Sequence, residues 1–236
     1  MIPVFFSCEH ATCAVPEPWR ELFRGHEEAV ASAEGWEPGA LNLAQGFAIK
    51  FRTPLAHGDV TRLLIDLEAT DDAKWSRFSS TLTDVQRSKL MDRHERPFRE
   101  AVRSKVAEAL RRGPLAVQVL VHAVAPEEGA VVIEVIEGDE FAGKLAAEWC
   151  RALGQGADKV KASVQRVPEV SAVGMSLRQT YDPSKLAVMV LRVSSTYFLE
   201  GRPVRWEKAK KRLIDSLTEA VEVFSRAPES SSSPEA

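Results

Sequence analysis

Short runs of large apolar residues alternate along this chain with longer stretches of helical periodicity. The apolar runs predict buried strands at residues 2–7, 62–67, 116–121, 131–136, 160–167 and 187–193. Apolar side chains at helical spacing predict helices at residues 38–52, 83–112, 139–153 and 204–224, with a break or kink at Pro97. This alternation predicts an α/β fold, in which helices cover both faces of a mixed, largely parallel central sheet.

The chain is long enough for one domain with a sizeable core. Of its 236 residues, 44% are hydrophobic and 28% are charged, which excludes a disordered or collagen-like chain. Neither a Gly/Ser/Pro-rich linker nor an internal repeat interrupts residues 1–226, so we expect a single domain there. Residues 227–236 read APESSSSPEA, and we expect them to form a disordered tail.

Charge and cysteine content restrict the partners and the compartment. A net charge of -3 and a pI near 6.0 lack the basic excess that binds nucleic acid. The apolar runs are shorter than the ~20 residues that cross a membrane, and residues 1–6 have no signal-peptide pattern. Cys8, Cys13 and Cys150 are an odd number and are expected to be reduced thiols. We therefore expect a cytoplasmic protein that binds neither nucleic acid nor membrane.

Polar side chains follow several of the predicted strands. Glu9 and His10 come after the first strand, His122 follows the predicted strand at 116–121, and Asp66 and Glu68 follow the apolar run at 63–65. Ligands of open α/β sheets bind at such strand ends, and Zn²⁺ accepts imidazole nitrogen and carboxylate oxygen. Adjacent residues of a strand point in opposite directions, so Glu9 and His10 face one ion only if the chain turns there.

The motifs that carry these residues resemble those of the N-formylglutamate amidohydrolase family. Residues 7–16 read SCEHATCAVP, similar to the family's opening SCEHASNxVP, and residues 35–40 read GWEPGA, similar to its G-W/Y-DPGA. Residues 61–67, TRLLIDL, resemble its S/T-RLxxDL motif, and residues 96–99, RPFR, resemble its PYR segment. Gly174 with Leu177 and Arg178 completes the series in the same order.

The resemblance implies a zinc-carboxypeptidase-like three-layer α/β/α fold and hydrolysis of the amide of a small N-acyl or N-formyl amino acid. It implies Zn²⁺ as the cofactor, with Glu9, His10 and His122 as the metal-site residues. By the same resemblance Arg62, Arg99 and Arg178 are expected to bind substrate carboxylates. Arg62 and Arg178, together with Glu68, are the predicted catalytic residues.

The chain departs from this family at several places, which include Cys13 in place of Asn and Ala33 in place of a His. Residues 66–69 read DLEA where the family has DLNR, which predicts poor turnover of N-formylglutamate itself. Residues 122–126 read HAVAP where the family has HSFTP. Arg192 aligns with the family's general-base Glu, and a guanidinium stays protonated. Either another carboxylate, among Glu68, Glu134 and Glu169, serves as the base, or the chain is a diverged family member with a non-catalytic binding or regulatory role.

Several candidate residues also have a purely structural interpretation. His122 either binds a metal or hydrogen-bonds to backbone at a strand end. Arg62 and Arg99 either bind substrate or pair with acidic residues that are near in sequence. Asp66 is either the partner of a metal-binding histidine or a cap at the strand end.

Overall fold

The computed structural model describes residues 2–124, 131–156, 160–199 and 203–226. The strands are β1 Val4–Cys8, β2 Leu55–His57, β3 Ala116–Val124, β4 Val131–Ile136, β5 Ala162–Val167 and β6 Leu186–Ser194. The α-helices are α1 Glu27–Ala31, α2 Ala40–Phe51, α3 Asp84–Leu90, α4 Arg96–Arg112, α5 Glu140–Leu153, α6 Ala172–Thr180, α7 Thr196–Leu199 and α8 Pro203–Arg226. The predicted tail at 227–236 lies outside the described residues.

The six strands form one mixed sheet in the order β2-β1-β3-β6-β4-β5. β2, β1, β3 and β6 run parallel to one another, whereas β4 pairs antiparallel with β6 and carries β5 parallel beside it. The predicted mixed, largely parallel sheet is therefore confirmed. The carboxyl ends of β1, β3 and β6 meet at one edge.

Helices cover both faces of the sheet, because side chains alternate between the two faces along each strand. On β3, Val117, Val119 and Val121 face the core that contains α2, α5 and α8. Ala116 and Leu120 face the second core, which contains α4 and α6. The predicted three-layer α/β/α arrangement is thus confirmed. Among the described residues, no helix is long and apolar enough to span a membrane.

The apolar run at 62–67 is a turn, and the predicted strand there is wrong. Thr61 accepts hydrogen bonds from the backbone of Leu64 and Ile65, and its hydroxyl accepts one from Leu63, so the chain coils back on itself. The side chains of this one turn therefore all pack into the second core; they are Leu63, Leu64, Ile65 and Leu67. The strand in this part of the chain is β2, whose side chains are only half-buried or exposed.

The helical stretch at 83–112 breaks just before Pro97. α3 starts at a capping box, in which Thr83 and Gln86 satisfy each other's backbone amides. A π-helical turn, Met91–Glu95, separates α3 from α4, whose second residue is Pro97. Proline has no amide hydrogen and collides with the carbonyl four residues earlier, so a wider turn at this point relieves the conflict.

Candidate functional site

The site lies at the edge of the sheet where β1, β3 and β6 end. Glu9 and His10 directly follow β1, and His122 and Arg192 lie near the ends of β3 and β6. The parallel register pairs His122 with Arg192, so the two side chains leave the same face of the sheet.

The chain turns after β1, and this turn brings Glu9 and His10 into the same site. The amide of Gly58 donates to the carbonyl of Cys8, and the amide of Glu37 donates to the carbonyl of His10 at 3.0 Å. Glu9 and His10 are each only 1% exposed. A Cβ atom on Gly58 would lie 2.1 Å from the carbonyl oxygen of Glu9, so the close approach of these segments requires glycine.

Two imidazoles and two carboxylates form the centre of the site. Glu37 Oε1 lies 2.8 Å from His10 Nδ1 and 3.2 Å from His122 Nδ1. Glu68 Oε2 lies 3.8 Å from His10 Nδ1 and 3.9 Å from His122 Nδ1. One potential ligand atom from each of these four residues falls within 4.8 Å of all the others. The second oxygen of Glu37 accepts a hydrogen bond from the amide of Ala123 at 2.7 Å, which fixes its orientation.

Each imidazole also faces a carboxylate with its other nitrogen. His10 Nε2 lies 2.8 Å from Asp66 Oδ1, and His122 Nε2 lies 3.3 Å from Glu9 Oε2. Metal-binding histidines show this pattern, because a carboxylate on the far nitrogen fixes the tautomer and the orientation of the ring. The Glu9 oxygens and His122 Nε2 are buried without an aligned hydrogen bond among the described residues, so their interaction is electrostatic.

Arg192 links the centre of the site to β4. Its Nη2 donates to Glu68 Oε1 at 2.6 Å, and its Nε donates to Glu134 Oε1 at 2.7 Å. The guanidinium therefore holds one oxygen of Glu68 and leaves Oε2 directed at the imidazoles. The backbone of Glu68 is also held, since its carbonyl accepts from Ala172 and its amide donates to Asp66.

The opposite charges in the site shift one another's pKa values. Burial disfavours protonated His10, but hydrogen bonds to Asp66 and Glu37 outweigh it and raise the pKa of the imidazole to about 9. Burial likewise opposes protonation of His122, and the charges of Glu37 and Glu68 raise its pKa well above the usual range. Burial would raise the pKa of the Glu37 carboxyl, yet the adjacent imidazoles hold it well below normal. The carboxylates and the imidazolium forms thus stabilise each other.

This donor set fits a divalent metal ion. Zn²⁺ is bound in proteins by imidazole nitrogen and carboxylate oxygen, which are the atoms that converge here. Because Glu37 Oε1 lies within hydrogen-bond distance of both Nδ1 atoms, each ring carries a proton on that nitrogen when no metal is bound. One divalent cation supplies the same charge as these two protons, so metal binding exchanges charge without leaving buried carboxylates uncompensated.

Of the predicted site residues, the structure brings His10, His122 and Glu68 together, while Glu9 contacts His122 from the outer nitrogen. Sequence reasoning did not assign a role to Glu37. It precedes α2 and does not follow a strand, but it is the acidic residue of the GWEPGA motif, where the resembled family has Asp. That retained carboxylate is the signal that points to it.

The predicted arginines lie outside the centre of the site. Arg62 donates to the carbonyls of Ala33 and Glu34 and lies 3.7 Å from Glu37 Oε1. Arg99 pairs with Glu95 at 2.6 Å and donates to the carbonyl of Ala172.

Arg178 is near the amino-terminal end of β6, opposite to the end at which the site lies. Its charge acts on Asp139 and Asp182, and Asp182 accepts a hydrogen bond from Leu186, the first residue of β6. Six residues of strand, about 20 Å, separate that end of β6 from Arg192. Of the other proposed bases, Glu134 contacts Arg192, whereas Glu169 is exposed and is not part of the site.

Comparison with known proteins supports the fold. No protein-family model matches the chain, and no curated protein matches it. A crystal structure of gene product Atu2144 from Agrobacterium tumefaciens superposes with a TM-score of 0.72 at 21% identity, covering 94% of this chain and 90% of that one. N-formylglutamate amidohydrolase from Ralstonia eutropha JMP134 superposes with a TM-score of 0.67 at 12% identity, covering 94% and 96%. The chain therefore has the fold of an amidohydrolase, and the resemblance found in its motifs is confirmed at the level of fold.

Proposed function

We propose that this chain is a zinc-dependent amidohydrolase that cleaves the amide bond of a small N-acyl compound. The observation that carries the proposal is the arrangement of His10 and His122. Both rings direct Nδ1 at Glu37 and Glu68, and both face a carboxylate with Nε2. The amidohydrolase fold supports the same reaction class.

In this proposal His10, His122 and Glu37 hold the metal. Glu37, and not the predicted Glu9, is the proposed carboxylate ligand of the metal. Glu37 Oε1 is near both Nδ1 atoms, whereas Glu9 faces Nε2 of His122. Glu9 and Asp66 then orient the two rings. A bound Zn²⁺ polarises the substrate carbonyl and makes water a stronger acid.

Glu68 is the proposed general base. Its Oε2 faces the imidazoles while Arg192 holds Oε1, so one oxygen is directed at the place where the reaction occurs. In amide hydrolysis the oxygen of water bonds to the carbonyl carbon and the C–N bond breaks. Glu68 accepts a proton from the water and returns it to the leaving nitrogen, which departs as an amine.

One observation favours a second candidate, a metal-binding protein without hydrolytic activity. Arg192 Nη2 donates to Glu68 Oε1 at 2.6 Å, so the proposed base is paired with a guanidinium that stays protonated. Such pairing stabilises the carboxylate and makes it a weaker base, which reduces the rate of proton abstraction. The two candidates share the metal site and differ only in turnover.

Metal content tests the part that both candidates share. We would purify the protein without added metal and measure zinc by inductively coupled plasma mass spectrometry, beside His10→Ala and His122→Ala. His26→Ala is the control, because His26 is exposed and is not among the four residues of the candidate metal cluster. We expect near-stoichiometric zinc in the parent and the control and its loss in the other two variants. A parent that takes up no zinc would exclude the metal mechanism.

Turnover separates the two candidates. The zinc-loaded protein would be incubated with a panel of N-formyl and N-acetyl amino acids and N-acyl amines, with amine release as the readout. We expect hydrolysis by the parent and its loss in Glu68→Gln, which should retain zinc. A parent that holds zinc and hydrolyses none of the panel would favour the non-catalytic candidate.

A further inference from the structure

The π-helical turn before α4 ends in a buried carboxylate. This residue is Glu95, whose side chain is only 8% exposed. Glu95 Oε1 accepts a hydrogen bond from Lys74 Nζ at 2.7 Å and lies 2.6 Å from Arg99 Nη2. Lys74 belongs to a short 3-10 turn and Arg99 to α4, so Glu95 joins two cations from different parts of the chain. Single π-helical turns of this kind are frequent at functional sites.

Lys74 connects Glu95 to the carboxylate that faces His10. The carbonyl of Lys74 accepts a hydrogen bond from the amide of Asp66 at 3.0 Å. Asp66 Oδ1 lies 2.8 Å from His10 Nε2 and also accepts a hydrogen bond from the amide of Glu68 at 2.9 Å. The position of Lys74 therefore determines where Asp66 meets the imidazole.

Arg99 connects Glu95 to the backbone of Glu68. Arg99 Nη1 donates to the carbonyl of Ala172 at 3.4 Å, and the amide of Ala172 donates to the carbonyl of Glu68 at 2.8 Å. Ala172 is the first residue of α6, so the same contacts place the start of that helix. Both cations that Glu95 joins thus support the segment 66–68, one from each end.

We infer that Glu95 is a positioning residue of this site, which holds the segment 66–68 so that Asp66 faces His10 and Glu68 faces the imidazoles. The inference rests on the proposed function, in which Glu68 is the base and Asp66 orients a metal-binding ring. Glu95 is buried and is not one of the four residues of the candidate metal cluster, so it acts through other residues. A displacement of about 1 Å at a reacting group reduces a rate about 100-fold.

Glu95→Gln removes the charge that holds the two cations together. Lys74 Nζ and Arg99 Nη2 both lie within 2.7 Å of the same oxygen, Glu95 Oε1. A glutamine keeps the size of the side chain, but the two cations then repel each other without a carboxylate between them. We expect both side chains to turn towards solvent, which loosens the hydrogen bonds of the Asp66 and Ala172 amides.

Hydrogen exchange tests the inference without a substrate. Exchange of the Asp66 and Ala172 amides would be followed in the parent and in Glu95→Gln. We expect exchange about tenfold faster at both amides in the variant, because each donates a hydrogen bond that depends on Glu95. Lys74→Met is a milder second variant, since Glu95 keeps its pair with Arg99; it should accelerate exchange at Asp66 and not at Ala172.

Two variants on α4 separate positioning from a general loss of stability. Glu108→Gln is matched in chemistry, because Glu108 also pairs with one lysine and one arginine, Lys105 and Arg112. Val106→Ala is matched in destabilisation, because Val106 is fully buried in the second core. If Val106→Ala accelerates exchange at the two amides as much as Glu95→Gln does, or if Glu95→Gln leaves them unchanged, the inference is wrong.

Turnover gives a second readout. With a substrate that the parent hydrolyses, Glu95→Gln should retain zinc and lower kcat about 10–100-fold, because the base is displaced. KM should change less than about twofold, since the substrate does not contact Glu95. A raised KM at unchanged kcat would assign Glu95 and Arg99 to substrate binding and overturn the inference. A parent without turnover would overturn the proposed function instead, while the exchange rates still decide whether Glu95 holds the segment.

Discussion

Glu37→Gln tests how much of the stability depends on the carboxylate that lies between two imidazoles. The substitution keeps the size of the side chain and an oxygen for the amide of Ala123, and removes the charge. Glu37 is 5% exposed and contacts the Nδ1 atoms of His10 and His122 at 2.8 and 3.2 Å. Removing one partner of a buried ion pair costs about 3–5 kcal/mol. Since Asp66 and Glu9 still hold the outer nitrogens, we expect the lower end, about 3 kcal/mol.

The assay is chemical and thermal unfolding of the metal-free protein at pH 7 in the presence of a chelator. A loss of 3 kcal/mol corresponds to a decrease of roughly 6–12 °C in Tm for a chain of this size. Glu34→Gln is the matched control, because Glu34 is 41% exposed and its partner Arg77 is 63% exposed. An exposed pair contributes less than about 1 kcal/mol. If Glu37→Gln is no more destabilising than Glu34→Gln, the reasoning about this buried pair is wrong.

Three further predictions concern the support of the site and of the fold. Glu9→Gln should weaken zinc binding by roughly 10–100-fold in a competition titration with a chelator, because it removes the charge beside His122 Nε2; unchanged affinity would contradict this role. Gly58→Ala should lower both Tm and zinc content, since its Cβ would collide with the carbonyl of Glu9; a variant that matches the parent in both would refute the close approach. Asp139→Ala should reduce the free energy of unfolding by about 1 kcal/mol, because the amide of Ala142 loses its capping oxygen, without a change in zinc content.

The sequence predicts elements well where the signal is local. α5 has a capping Asp139 before it and Gly154 after it, and both are found at those positions. β3 and β4 are rich in β-branched residues and were predicted. The sequence does not indicate that β4 runs antiparallel to β6. This direction depends on pairing between residues some 60 positions apart. The predicted strand at residues 62–67 is wrong because a buried turn and a buried strand both require apolar side chains, so the two have the same sequence pattern.

The site was predictable where it follows a strand and not elsewhere. His10 follows β1 directly and His122 lies near the carboxyl end of β3, which runs three residues beyond the predicted end at 121, so reading the carboxyl ends of two neighbouring strands finds both residues. Glu37 lies in the loop before α2. Its backbone amide donates a hydrogen bond to the carbonyl of His10, and this contact places the loop at the site. The role of Arg192 depends on Glu68 and Glu134, which come from different elements, so no local pattern indicates it. Charge pairing across the fold is the information that a single sequence lacks.

The charged side chains of the site come from nearly the whole chain, from Glu9 after β1 to Arg192 near the end of β6. A chain truncated before β6 lacks Arg192, so Glu68 and Glu134 lose the guanidinium that joins them. Contacts between such distant positions form late, because closing long loops costs entropy before the contacts stabilise the fold. The proposed metal ligands His10, Glu37 and His122 all precede β6, whereas Arg192 lies on it, so metal affinity and the placement of Glu68 depend on different stretches of the chain.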